Sequence, residues 1–182
     1  YNTPFLQDLF QQPDPVIGIL GAGTILCLLG VIDDIWDINW VAKLAGQTLA
    51  AGFMALKGVA LLSIPFDTVI IGSQRLSLIL TVLVVLVTIN AVNFVDGLDG
   101  LAAGVVTIGG VAFFVYTYQL AIDTSPTSYA NLASLITSLL VGACLGFLPH
   151  NFNPARIFMG DSGSMLIAVS YTHLTLPTTP YV

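Results

Sequence analysis

The chain has 182 residues, of which 56% are hydrophobic and 8% charged, with a mean hydropathy of +0.94 and a formal net charge of −6. Ordinary soluble domains are about 25% charged, so this composition excludes a water-soluble globular domain and places the chain in the membrane class. All ten acids are Asp, which favours caps, turns and ligand positions over solvated helix faces; against four Lys and Arg they argue against nucleic acid as a partner and towards bound cations.

Tyr1–Asp14 is polar and contains proline, without the basic start and apolar core of a signal peptide, and reads as an internal loop of something longer. A first apolar run, about Pro15–Ile32, is close to the roughly 20 residues that a membrane span requires, with Gly18, Gly21 and Gly23 as a small-residue packing face. It ends abruptly at Asp33-Asp34. A second run, about Trp40–Leu56, carries Lys43 and Gln47 one helical turn apart. Between Lys57 and Arg75, Gly58, Pro65 and Gly72 punctuate short β-branched runs such as Thr68–Ile71, which predicts a short β-hairpin or extended loop. Cys27 and Cys144 lie inside apolar runs and read as small hydrophobes, neither disulfide partners nor ligands.

The third run, about Leu76–Val95, delivers four polar side chains at intervals of three, Asn90, Asn93, Asp96 and Asp99, with Gly97 and Gly100 interrupting the segment. A fourth run covers about Leu101–Leu120, and Ala121–Ser128 is a polar connection. A fifth, about Tyr129–Leu148, is expected to break at Pro149, with Asn151-Phe-Asn-Pro154 as a turn. Ala155–Ser164 then leads into a sixth run at Met165, which is too short by Val169 to cross a bilayer. From Ser170 the sequence turns Thr- and Pro-rich and reads as replaced, as at a frameshift; a longer gene copy with the same tail overturns that reading. The expectation is an all-α multi-pass membrane protein with about five complete transmembrane helices and the start of a sixth. Residues 1–14 form a polar loop, 15–169 the membrane domain, and 170–182 a tail foreign to it.

Crossing parity organises the polar motifs. If each run crosses once, Asp33-Asp34, Asn90–Asp99 and Asn151–Ser164 all fall on one membrane face, whereas one miscounted span scatters them. Positive charge does not orient that face, because Lys43 and Arg156 lie on it and Lys57 and Arg75 opposite. Asp33-Asp34 alone reads as a helix ending at a wet interface, and Asp99 alone as the N-cap of the fourth helix. Asn90, Asn93 and Asp96 beside glycines that allow close backbone approach favour a binding site, since ionisable groups in membrane proteins are costly and usually functional. Asp161, between glycines at a helix start, suits a metal that bridges to phosphate oxygens, and Lys43 suits a phosphate.

Together these motifs carry a specific resemblance. Asp33-Asp34, Lys43 with Gln47, Asn90-Ala-Val-Asn-Phe-Val-Asp-Gly-Leu-Asp-Gly-Leu-Ala102 and Asn151-Phe-Asn-Pro-Ala-Arg-Ile-Phe-Met-Gly-Asp-Ser-Gly-Ser164 resemble, in order and separation, the polyprenyl-phosphate N-acetylhexosamine-1-phosphate transferases. The resemblance covers about Pro15 to Ala168. It implies a multi-pass enzyme of the bacterial cytoplasmic membrane with its motif face cytoplasmic and the Lys57–Arg75 loop extracytoplasmic. It implies magnesium as cofactor, with manganese as a substitute, and a UDP-sugar and undecaprenyl phosphate as substrates. A homodimer is compatible with it.

By the same resemblance Asp33 and Asp34 are the catalytic pair, Asp161 and Asn93 serve the metal, and Lys43, Asn90, Asp96, Asp99 and Asn151 bind substrate. The implied reaction transfers N-acetylglucosamine-1-phosphate from UDP-N-acetylglucosamine to undecaprenyl phosphate and releases UMP, opening cell-wall or surface polysaccharide synthesis such as that of teichoic acid. The runner-up is the phospho-N-acetylmuramoyl-pentapeptide transferase of peptidoglycan synthesis. A cation-coupled transporter is the alternative of another class, although its coupling site belongs near the bilayer midplane. The family has further spans before Pro15 and a His-containing loop beyond this chain's end, so the chain alone is expected to be inactive.

Overall fold

The computed structural model describes residues 13–60, 63–64, 69–70, 73–123 and 129–175. Six helices follow in order: α1 (Pro13–Trp36), α2 (Trp40–Leu56), α3 (Gln74–Val95), α4 (Leu101–Asp123), α5 (Tyr129–Asn151) and α6 (Gly160–Thr175). Between α2 and α3, β1 (Ser63–Ile64) and β2 (Val69–Ile70) pair antiparallel, Ser63 opposite Ile70.

Local sequence accounts for several boundaries. Pro13 opens α1, where its missing N–H goes unused, and Asp14 follows in the positive first turn. Asp37 turns the chain after α1 with φ of 48°, a left-handed conformation that Asp tolerates better than most residues. Asn39 then caps α2, its Oδ1 accepting the Val41 N–H at 3.1 Å. Pro149 does not end α5 as the sequence suggests. The helix runs on to Asn151, and the Phe152 N–H still reaches the Leu148 carbonyl at 2.8 Å. A proline in the last turn removes only one ladder bond, with little helix beyond it to be disrupted.

Among the described residues, four helical segments are long and apolar enough to cross a membrane: 13–36, 74–95, 101–119 and 133–151. That is one fewer than the five expected, because α2 has only 17 residues, about 25 Å of helix. Even so, α2 returns along α1. Lys43 Nζ lies 2.7 Å from Asp33 at one end of the pair, and Lys57 Nζ lies 2.9 Å from Asp14 at the other. Long lysine stems make up the difference in helix length.

The last helix is the hub. Met165, Ala168 and Val169 of α6 pack with Ile19, Ala22 and Leu26 of α1, Ala50, Ala51 and Met54 of α2, and Val85 and Ile89 of α3. On its other side Ile167 meets Val106 of α4 and Leu140 and Cys144 of α5. The α1–α6 approach requires Gly30, where a Cβ would sit 2.3 Å from the Ser162 backbone. From Ser170, where the sequence reads as replaced, the helix continues to Thr175: Ser170 Oγ donates to the Leu166 carbonyl, and the buried Thr172 to that of Ala168. Residues 176–182 lie outside the described chain.

Leu20, Leu49, Val87, Ile108 and Leu139 point outward from their helices and are exposed. Such outward apolar faces on apolar helices match lipid as the surrounding solvent. Trp36 and Trp40, 69% and 73% exposed, flank the α1–α2 turn, where an aromatic belt at the membrane–water boundary is expected.

Candidate active site

Four helices bring their polar ends together where Trp36 and Trp40 mark the boundary. Lys43, one turn into α2, bridges two carboxylates: Asp33 near the end of α1 at 2.7 Å, and Asp161 at the start of α6. Asn93, near the end of α3, donates through Nδ2 to Asp161 Oδ1 at 2.6 Å and to Ser164 Oγ at 2.9 Å. Asp33 also accepts the Ile38 N–H at 2.9 Å, which folds the α1–α2 turn onto the site. Asp34 takes a different direction. Its two oxygens accept the Asp161 and Ser162 backbone N–H groups at 2.9 and 3.2 Å. Gly160 precedes them with φ of +67°, and a Cβ on it would lie 2.9 Å from Asp34 Oδ2.

One turn further into the bundle, Asn90 donates to Gln47 Oε1 at 2.8 Å and to the Leu86 carbonyl at 2.8 Å. Gln47 is 1% exposed, and its Nε2 has no hydrogen-bond partner. Asp96, just beyond α3, is 6% exposed, and its Oδ1 is likewise unpartnered. Burial holds its carboxyl above the ordinary 3.8, opposed by the Gly160 and Met159 amides; the Asp161 and Asp34 charges push it the same way as burial.

Asp99 and Asn151 belong to a second cluster. The Asp99 carboxylate accepts from Asn153 Nδ2 at 2.9 Å and from the Ala155 N–H at 3.2 Å, and so grips the loop after α5 rather than capping α4. Asn151, 1% exposed, accepts the Gly100 N–H at 3.0 Å and donates to the Ile157 carbonyl at 2.9 Å. With both ends of its carboxamide engaged by backbone, Asn151 ties the start of α4 to the loop that leads into α6. Of the residues singled out in the sequence, Asp33, Asp34, Lys43, Asn93 and Asp161 meet directly. Asn90 and Asp96 border them, while Asp99 and Asn151 brace the neighbouring loop. Gln47, noted in the sequence beside Lys43 but given no role there, pairs with Asn90, and Ser164, the last residue of the quoted Asn151–Ser164 motif, joins Asn93.

Among the described residues no three His, Cys, Asp or Glu side chains are arranged as a ready-made metal cage. Magnesium does not need one, since it usually takes one or two carboxylates and completes its shell with water and substrate phosphates. Asp33 and Asp161 already share one cation, the Lys43 ammonium, so the donor set suits a divalent ion.

A helical bundle with apolar outer faces and a carboxylate, carboxamide and lysine network at one end defines a multi-pass membrane protein with a polar site assembled from helix ends. The chain belongs to glycosyl transferase family 4, whose pattern matches residues 16–178. It is 43% identical over 172 residues to a decaprenyl-phosphate N-acetylglucosaminephosphotransferase of Mycobacterium leprae, covering 92% of this chain and 43% of that protein. Its counterpart in Mycolicibacterium smegmatis is 45% identical, with 92% and 42% covered. A phospho-N-acetylmuramoyl-pentapeptide-transferase of Clostridioides difficile is 40% identical over 78 residues, 41% of this chain and 22% of that protein. The chain thus spans less than half the length of these curated relatives.

Proposed function

We propose that the full-length protein transfers N-acetylglucosamine-1-phosphate from UDP-N-acetylglucosamine to a polyprenyl phosphate, taken as undecaprenyl phosphate, with release of UMP. The observation that carries this reading is the single network of Asp33, Lys43, Asn93 and Asp161 at the wet end of the bundle. The mycobacterial relatives, matched over 92% of the chain, support the N-acetylglucosamine donor over the muramoyl-pentapeptide alternative, whose representative matches over 41%. A transporter is disfavoured because these groups sit at helix ends rather than at mid-depth. We place the protein in the bacterial cytoplasmic membrane with this site facing the cytoplasm, where UDP-sugars are, at the first membrane step of a cell-wall or surface polysaccharide.

In this reading Asp161 and Asn93 hold magnesium, with Asp33 beside them. Held there, the ion would supply positive charge to offset that of the diphosphate, which would ease the approach of a phosphate nucleophile. Lys43 supplies a mobile ammonium that turns from the two carboxylates to the donor's phosphates. Asp33 orients the acceptor phosphate or takes its proton. Little base strength is needed, because the second ionisation of a phosphate monoester lies near pH 6 and the nucleophile is largely ionised at neutral pH.

The test is UMP release by the full-length protein in membranes supplied with UDP-N-acetylglucosamine, polyprenyl phosphate and magnesium. Asp161→Asn is expected to lower the rate by about a hundredfold or more. Robust turnover by that variant removes the metal assignment, and no release with any UDP-sugar removes the transferase reading.

A further inference from the structure

We propose that Asp34 is a positioning residue: from α1 its carboxylate serves as the N-terminal cap of α6 and so holds Asp161 in the site. The first N–H groups of any helix lack partners within it. Met159, which precedes α6, has no side-chain oxygen to accept them. Asp34 accepts two, from Asp161 at 2.9 Å and from Ser162 at 3.2 Å. Glycine at 160 leaves room for the carboxylate, and glycine at 30 lets the α6 backbone come close enough to α1 to be reached.

Neighbouring residues on a helix point about 100° apart, so the adjacent pair divides its work. Asp33 faces Lys43 and the Ile38 N–H, whereas Asp34 faces the helix end. The Asp161 backbone is pinned by Asp34 while its side chain is left to Lys43 and Asn93. The anion at the start of α6 is therefore the protein's own carboxylate, and the donor's phosphates must be held elsewhere, by Lys43 and whatever Asp161 binds.

The inference rests on the transferase reading only for its kinetic arm. In the full-length protein, residue-resolved amide hydrogen exchange over 160–163 is measured alongside UMP release for wild type, D34N, D34A and D33N. D34A is expected to speed exchange at Asp161 and Ser162 by about twofold to thirtyfold, the range for a lost cap, with α4 amides unchanged. D34N keeps one acceptor oxygen and falls between, and kcat falls in the same order. D33N is expected to lower kcat while leaving exchange at those two amides as in wild type. Unchanged exchange in D34A overturns the proposal. So does D34N with protected amides but no more activity than D34A, which makes the charge itself the requirement. Should D34A fail to accumulate, D34N against wild type decides by the same two measurements. If wild type releases no UMP, the transferase reading fails alone and exchange still decides the cap.

Discussion

Asp96 and Asn151 are both buried and polar, and they answer burial differently. Asn151 spends its whole carboxamide on the Gly100 N–H and the Ile157 carbonyl. Asn151→Ala leaves both backbone groups without that partner and is expected to cost about 2–4 kcal/mol, read as a lower thermal inactivation temperature in detergent. Asp96 keeps one oxygen unpartnered, and its pKa is raised above 3.8, chiefly by burial. The folded form therefore retains a proton that the unfolded chain has released, so the group's contribution to stability falls as pH rises through that window. Asp96→Asn removes the titration: its stability relative to wild type is expected to improve from about pH 4 to pH 7, measured by thermal unfolding. A difference independent of pH shows that the carboxylate is not the source. Spacing beside glycines made Asp96 a site candidate, whereas Asn151 became one only through the family resemblance. Their contacts depend on residues that lie far along the chain, Gly160 for Asp96 and Gly100 for Asn151, and no local pattern in the sequence discloses them.

At the scale of elements, apolar run length and cap chemistry made most helices legible. The starts at Trp40 and Leu101 and the end at Val95 agree with the sequence reading, because Asn39, Gly100 and the polar Asp96 punctuate apolar runs. Pro149 misled because its effect depends on how much helix follows it, which the residue type does not state. The α1–α6 contact was also out of reach of sequence reasoning. Gly30 is one of several glycines in α1, and only its partner distinguishes it: a methyl there would meet the Ser162 backbone at 2.3 Å. Gly30→Ala is expected to push the helices apart at a cost of about 1–3 kcal/mol and to loosen the Asp34 cap. Thermal inactivation measures the first effect, and amide exchange at Ser162 the second.

The whole molecule turns on α2. With 17 residues it falls short of the length of its neighbours, yet it carries Lys43 to Asp33 at one end and Lys57 to Asp14 at the other. A helix that matches α1 end for end is expected to cross the bilayer with it. In a full-length protein with Cys27 and Cys144 replaced, Asp37→Cys and Ser73→Cys are then labelled from opposite sides by a membrane-impermeant maleimide. Labelling from one side only makes α2 a re-entrant or interfacial helix. By contrast, the Lys57–Asp14 pair is exposed, and breaking it with Lys57→Ala is expected to change stability by less than about 1 kcal/mol.

By itself the sequence determined the membrane class, the helical runs and the order of the polar motifs, because hydropathy, run length and residue spacing are local properties written along the chain. Parity extended this to the expectation that the acidic motifs share one face. Only the tertiary structure decided what each polar group does there. It placed Asp33, Lys43, Asn93 and Asp161 in one network, gave Asp34 to the end of α6, and assigned Asp99 and Asn151 to the loop beside them. Those roles follow from which helix end lies against which, and that is set by the packing of α6 between the two halves of the bundle.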